Sequence, residues 1–521
     1  MNFPTITSIL LTITALIFTR ILYEYFLKPF LRVLAYKDIP NSIITYKIGD
    51  REVWTKTNIS APPLTTKRDS PFLATEEYNL LREHPDLQVI VSNIIQTPMI
   101  TLIDHQLGAE IAKNHDNYMH FRSNTLIGKT YLRYSMIFST GLEWKRQRKL
   151  ISKSFDFESM QKVIPIVQDV AKEFFAKGNF ANGKDPIPLQ QTFVKTSWEA
   201  FSRSFFGDNL KGYTVEGVPF AQSLNVLLKE QSEMLMDSQY QIFGTYAAIW
   251  NSDIRRQVKK LREFGKVAEK IIEDLTTRIK RGETKVSDDR KGILELIIES
   301  SEEHGDKLTN LELIANFISF SFAGTDTTAN TSSNLLYCLA THPEVKRKLI
   351  EEINANWDGE SPMTLAIINK LEYFHALILE TLRVMSPAPF LLPRVAKSDH
   401  MIGNIPIKKG YLVQPQFGPT WLSPKFIKDP EVFKPERWIK GHEEQEHLRD
   451  VYTFNPFSFG ARTCIGQHFA AIQIKIMLSY FLTRFDFELP PNFKLSPMIT
   501  RATMEPQEPI QMLIWLKKNA N

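Results

Sequence analysis

From about residue 141 to 385 the chain sets apolar residues at helical spacing among charged ones, which predicts a succession of long amphipathic helices. The clearest start signal is Thr309-Asn310-Leu311-Glu312. A hydroxyl followed three places on by a carboxylate lets each side chain satisfy the other's exposed backbone N–H. It opens an apolar run that continues to Ala340. Thr341-His342-Pro343-Glu344 then ends that run and starts a second helix, rich in Lys and Glu, and Asn369 starts a third, NKLEYFHALILETLRVM. Shorter extended pieces with turns follow from about 392 to 416, and a last helix is expected from about Gly466 to Phe485. The predicted order is mainly α, with some β near both ends. The charged stretch Lys280 to Lys291 reads as a solvated surface loop.

The N-terminus follows another pattern. Thr5 to Phe18 carries no charge, Arg20 and Glu24 interrupt, and Ile21 to Leu27 is mostly apolar. Thr5 to Leu27 is about the length a bilayer core requires, although Arg20 would have to snorkel out of it. Lys28, Arg32 and Lys37 follow the segment and no basic residue precedes it, so the positive-inside rule puts the bulk of the chain in the cytoplasm. The expectation is a membrane anchor helix over 1–30, a linker over 31–70 that includes the loop Ala61-Pro62-Pro63-Leu64, and one large domain over 71–521. A helix lying on the membrane surface is the alternative.

Composition excludes more than it identifies. At 521 residues, 43% hydrophobic and 23% charged, with a net charge of +5, the chain is globular and shows no nucleic-acid-binding signature. Its two cysteines, Cys338 and Cys464, cannot build a disulfide framework or a thiolate zinc site. Yet Cys464 sits in FSFGARTCIG, where Phe457, Gly460, Arg462 and Gly466 surround it. A thiolate that ligates iron needs shielding from water and backbone N–H donors to spread its charge. The glycines allow close approach of a flat macrocycle, Phe457 can cover the sulfur, and Arg462 can reach a cofactor carboxylate. The helix that starts just after Cys464 favours a thiolate at its N-terminus.

With F-x-x-G-x-R-x-C-x-G in place, the sequence resembles the cytochrome P450 family of haem-thiolate monooxygenases, microsomal type, and Cys464 looks like the axial ligand of haem iron. Other motifs follow in the family's order over about residues 70 to 515. Ala323-Gly324-Thr325-Asp326-Thr327-Thr328, inside the long apolar helix, matches the family's [A/G]-G-x-[D/E]-T-[T/S]. The resemblance implies that Gly324 opens room for dioxygen, that Thr327 hydrogen-bonds it, and that Asp326 feeds protons. Glu380-Thr381-Leu382-Arg383 and the later Phe433-Lys434-Pro435-Glu436-Arg437-Trp438 imply a structural ion network of Glu380, Arg383 and Arg437. Trp144 and Arg148 resemble the family's W-x-x-x-R pair beside a haem propionate, and Arg394 stands where a further propionate-binding arginine is common. One departure is Trp421-Leu422-Ser423, where the family often has His-Arg-Asp before Asp429-Pro430.

The resemblance implies the cytochrome P450 fold, mainly α with a small β-rich lobe, with an N-terminal membrane anchor helix, the cofactor haem b (iron protoporphyrin IX), and insertion of one atom of O2 into an apolar organic substrate. The chain carries no P-loop and no G-x-G-x-x-G, so electrons must come from a partner. The expected partner is an NADPH-dependent flavoprotein reductase at the endoplasmic reticulum membrane, with a small haem electron carrier as a further candidate. Lys145, Arg146, Lys149 and Lys153 form a basic face that could dock an acidic partner. By resemblance the substrate pocket is lined by Arg122 to Ile137, Phe317 to Ala323 and Ala388-Pro389-Phe390-Leu391-Leu392. Two other readings remain at this stage: a haem-thiolate isomerase or dehydratase acting on peroxides, and a membrane-anchored haem-binding or sensing protein without turnover.

Overall fold

The computed structural model describes the whole chain except residues 1–2, 49–50, 59–80, 82–83, 95–96, 121–125, 177–182, 207–211, 221–222, 225, 228–229, 231–233, 235–237, 283–291, 304–306, 445–447, 449–452, 501–502 and 518–521. The loop Ala61–Leu64, part of the expected pocket segment from Arg122 and most of the loop Lys280–Lys291 therefore lie outside the described residues. The chain is mainly helical with small sheets and divides into two compact units.

The first unit gathers residues 1–68, 76–121 and 390–423. Its centre is a mixed seven-stranded sheet of β1 (Ser42–Ile48), β2 (Arg51–Asn58), β3 (Val89–Ile94), β4 (Thr97–Leu102), β5 (Tyr118–His120), β6 (Arg394–Ala396) and β7 (Leu412–Pro415). The order is β2-β1-β3-β4-β7-β6-β5. Alternate residues of these strands, Ile44 and Tyr46, Val89 and Val91, Ile100 and Leu102, turn into one core with Val33, Tyr36 and Val413. Residues 42–48 and 51–58, inside the stretch expected as a linker, are thus the two strands at one edge of the sheet. Helix α1 spans Phe3–Leu22 and leaves Leu11, Leu16, Ile17 and Phe18 exposed. The spanning anchor expected from the sequence is not shown, since no helix among the described residues is long and apolar enough to cross a membrane. Arg20 and Glu24 break the apolar run.

The second unit, residues 69–75, 122–389 and 424–521, is a helical assembly. It contains α2 (Gly141–Ser152), α3 (Phe157–Ala176), α4 (Leu189–Phe206), α5 (Asn310–Thr341), α6 (Leu365–Lys370), α7 (Glu372–Val384) and α8 (Gln467–Arg484). The long helix α5 packs on α4, α7 and α8, while α3 lies along α8. Phenylalanines fill the α4–α5 seam: Phe201 stacks on Phe205 at 5.0 Å, and Phe206 meets Phe317 edge-on at 4.7 Å. The capping box is complete. Thr309 Oγ1 accepts from Glu312 N, and Thr309 N donates to the Glu312 carboxylate at 2.9 Å.

Glu312 has a second task. It pairs with Arg146 of α2, and Gln147 Nε2 donates to it at 3.3 Å. One turn along, Asn316 Nδ2 donates to Gln147 Oε1 at 2.8 Å, and Asn316 Oδ1 accepts from Met136 N at 2.8 Å. These buried polar contacts set α2 and the segment 132–139 against α5. Removing the cap hydroxyl by Thr309→Ala should lower stability by about 1 kcal/mol, read as a lower denaturant midpoint. Thr309→Ser should restore it, because a serine Oγ still reaches Glu312 N.

Candidate active site

The cysteine loop is wound by its backbone. Cys464 N donates to Phe457 O at 2.9 Å, Ser458 N to Asn455 O at 2.8 Å and Thr463 N to Gly460 O at 3.1 Å. The turn demands left-handed conformations at Gly460 (φ +69°) and at Ser458 (φ +61°). Glycine adopts this at no cost; serine does so with strain. Gly466 has φ −89°, so the structure requires no special conformation there; its N–H donates to the Cys464 sulfur. Cys464 is hemmed in by protein yet keeps reachable surface. Burial pushes its thiol up, while the Gly466 N–H and the Arg148 charge pull it back toward the thiolate. Cys338, in contrast, lies fully buried in α5, where desolvation pushes the thiol far up and leaves a small apolar group.

Arg462 is held on one side by Trp144, its guanidinium carbon 4.2 Å from the ring centre. It also donates to Met136 O at 3.3 Å and Ser139 O at 2.7 Å. The loop is thereby tied to the same 136–139 segment that Asn316 holds from α5. Arg148, one turn beyond Trp144 on α2, is half-buried near Cys464. Burial lowers its pKa and the Cys464 charge opposes that shift. Arg394 belongs to the first unit, paired through β6 with Val413 and His120. It is 4% exposed, its Nε has no partner among the described residues, and burial pulls its guanidinium down to about 10. Neither Arg148 nor Arg394 has a carboxylate partner among the described residues.

On α5, Thr327 Oγ1 donates to Ala323 O at 2.7 Å, and Thr331, Ser332 and Ser333 make the same bond one turn back. These four hydroxyls are satisfied within the helix, whereas the buried Thr325 and Thr328 hydroxyls have no partner among the described residues. Asp326 is held by a residue that sequence reasoning missed. Thr503, in the turn between Met498–Thr500 and Met504–Pro506, donates its hydroxyl to Asp326 Oδ2, and Asn330 Nδ2 approaches the same oxygen at 3.5 Å. No local signal around Thr503 announces this, because its partner is 177 positions away. Gly324 also has a packing role. A Cβ there would lie 2.8 Å from the Phe201 ring, so glycine is required for α4 to approach α5.

Glu380, Arg383 and Arg437 come together with no exposed surface. Arg383 forks onto the carboxylate at 2.8 and 2.9 Å, and Arg437 Nε reaches it at 3.2 Å. Lys434 N and Trp438 Nε1 complete the shell, each at 2.8 Å. Burial alone would raise the Glu380 carboxyl, but the two arginines outweigh it and hold it below its ordinary value.

A cytochrome P450 family model matches residues 84–514. Relatives include cytochrome P450 3A2 of Rattus norvegicus, 29% identical over 71% of this chain and 73% of the relative. Cytochrome P450 3A5 of Homo sapiens is 27% identical over 80% of this chain and 83% of the relative. The chain belongs to the cytochrome P450 family. It is a haem-dependent monooxygenase, its cofactor is haem b, and family membership brings dioxygen, an electron-supplying partner and apolar substrates. The peroxide isomerase and the sensor without turnover gain no support. The residues present fit the cofactor: a thiol with reachable surface in a loop whose Gly460 and Gly466 meet nothing within 4 Å of an added Cβ, and beside it the half-buried Arg148, which has no carboxylate partner among the described residues.

Breaking the ion network is expected to be costly. Glu380→Gln leaves the buried Arg383 guanidinium without its carboxylate, while Arg437 keeps Glu444 at 2.6 Å, and should cost about 3 kcal/mol in chemical denaturation. Because the folded-state pKa of Glu380 is depressed, its contribution is fully present above the unfolded value near pH 4.3. That contribution is lost as pH falls through the still lower folded value. Acid titration of stability should therefore lose a component below about pH 4 that is absent in Glu380→Gln.

Proposed function

We propose that this monooxygenase holds haem b through Cys464 Sγ, with Phe457, Gly460 and Gly466 shaping the loop. Arg462, Trp144, Arg148 and Arg394 answer the negative charge of the thiolate and the propionates. The observation that carries this reading is the cluster at the cysteine loop: an open-faced thiol, the Arg148 charge beside it, and Arg462 braced on Trp144. Bound haem iron supplies the redox chemistry that reduces dioxygen and gives one oxygen atom to the substrate. The protein's part on the α5 side is to move protons. Asp326 Oδ2 takes up a proton while Thr503 and Asn330 fix its position, and Thr327 Oγ1, released from Ala323 O, hands the next one on. Glu380, Arg383 and Arg437 play a structural role.

The substrate is an apolar lipid or xenobiotic molecule. Phe317 and Phe320 on α5 and Met136 support an apolar lining among the expected pocket segments. The electron partner is an NADPH-dependent flavoprotein reductase, with a small haem carrier as a second donor. Lys145, Lys149 and Lys153 are exposed and suit an acidic docking surface, whereas Arg146 is committed to Glu312 and Lys307 O. Residues 1–30 attach the protein to the endoplasmic reticulum membrane with residues 71–521 on the cytoplasmic side. The exposed Leu11, Leu16, Ile17 and Phe18 of α1 support that attachment.

Dithionite-reduced membranes carrying the chain should show a strongly red-shifted Soret band with carbon monoxide, and Cys464→Ala should lose it. An unchanged band in that variant would remove the proposed ligand. Thr327→Ala should keep the haem spectrum but divert electrons to hydrogen peroxide. Thr503→Val should do the same through Asp326, by roughly tenfold in product per electron, with Thr503→Ser restoring coupling. Full coupling in Thr503→Val would sink the role given to Thr503.

A further inference from the structure

A cavity of about 770 Å³ opens in the second unit away from the cysteine loop, between the start of α3, helices α6 and α7, the first turns of α8 and the Trp438–Lys440 segment. None of residues 457–466 lines it. Its size is that of a small-molecule site. The walls are largely apolar, from Phe155, Met160, Leu371, Ile472 and the Trp438 ring. Lys475, on α8, is the one buried charged group among its lining residues, 6% exposed. Its Nζ donates to Ile368 O and Leu371 O, each at 2.9 Å, at the end of α6. An ammonium has three donors, so one remains. No carboxylate forms an ion pair with Lys475 among the described residues, and burial pulls its pKa down to about 8, against the pull of Glu352 and Glu372. Beside it His375 presents open ring surface with no hydrogen-bond partner among the described residues. Burial first, then Lys475 and His468, push that imidazole down to about 4, so it is neutral at pH 7. The exposed charges on the cavity wall, Asp156, Glu372 and Lys440, are of mixed sign and give the opening no strong field.

We propose that this cavity is a second ligand site for a monoanionic amphiphile, whose carboxylate takes the remaining Lys475 donor and whose hydrocarbon lies along Phe155, Met160 and Ile472. The oxyanion supplies the counter-charge that the fold withholds from a buried ammonium. The neutral His375 ring can donate to the same head group without adding charge. The hydrocarbon replaces water on apolar walls. A ligand here touches α7, which carries Glu380 and Arg383. It also touches Trp438, whose indole nitrogen donates to Glu380, and α8, which begins just past Cys464.

The test uses the full haem-loaded chain, with the substrate site saturated by 1-phenylimidazole and its occupancy checked on the haem band. Calorimetric titration with monomeric dodecanoate should give saturable one-to-one binding. Dodecan-1-ol, lacking the charge, and acetate, lacking the chain, should each bind at least tenfold more weakly. Lys475→Met should weaken dodecanoate binding about tenfold, as expected for one charge-assisted hydrogen bond. Since Lys475 also closes the end of α6, Ala471→Phe serves as the arbiter: it fills the cavity, leaves Lys475 in place and should abolish binding while keeping the melting temperature. Undiminished binding in Ala471→Phe, or no binding to the unmodified protein, overturns the proposal. If dodecanoate fails to bind and Ala471→Phe instead slows reduction by the partner reductase, the cavity receives a protein side chain and the amphiphile site is wrong.

Discussion

The short segment from Met136 to Ser139 bears the connection between the long helix and the cysteine loop. Asn316 on α5 takes its Met136 N–H, and Arg462 takes the carbonyls of Met136 and Ser139 from the other side. Asn316 is itself oriented by Gln147, and Gln147 by Glu312, so α2, α5 and the loop share one buried chain of hydrogen bonds. In a low-dielectric interior such a chain is stable only when its members are satisfied together. The helix that carries Asp326 and Thr327 and the loop that carries Cys464 therefore cannot shift independently without leaving buried donors or acceptors unpaired.

Charge is handled in two opposite ways in this molecule. Glu380 is surrounded by Arg383, Arg437, Trp438 and a backbone N–H, so a carboxylate with no exposed surface remains ionised. Arg148, Arg394 and Lys475 are the reverse: buried or half-buried cations without carboxylate partners among the described residues, each with its pKa pulled down by desolvation. A fold that matches charges so closely at Glu380 leaves these three open to outside anions. For Arg148 the neighbouring Cys464 thiolate is a counter-charge. For Lys475 the cavity around it has the room for one.

Much of the site was legible from local chemistry. The Thr309–Glu312 capping box predicted the start of α5 correctly, since a cap involves residues three apart. Glu380 and Arg383, one helical turn apart, were recognisable as a pair, and the resemblance brought Arg437 to them. The N-terminal half was read less well. Residues 42–58 alternate apolar and polar as SIITYKI and REVWTKTN, a strand pattern that an expected linker obscured. The contact of Gly324 with Phe201 was likewise illegible, because Phe201 lies on another helix.

By itself the sequence determined the cysteine loop, the polar interruption of α5 and the helix caps, because backbone conformation and i to i+4 hydrogen bonding depend on residues close in the chain. The tertiary structure alone decided that Thr503 holds Asp326, that Trp438 joins Glu380, that Arg146 leaves the basic face for Glu312, and that Arg462 meets Ser139 from 323 positions away. Those pairings arise when buried polar groups, cut off from water, must find whatever partner the packing of distant elements brings within reach.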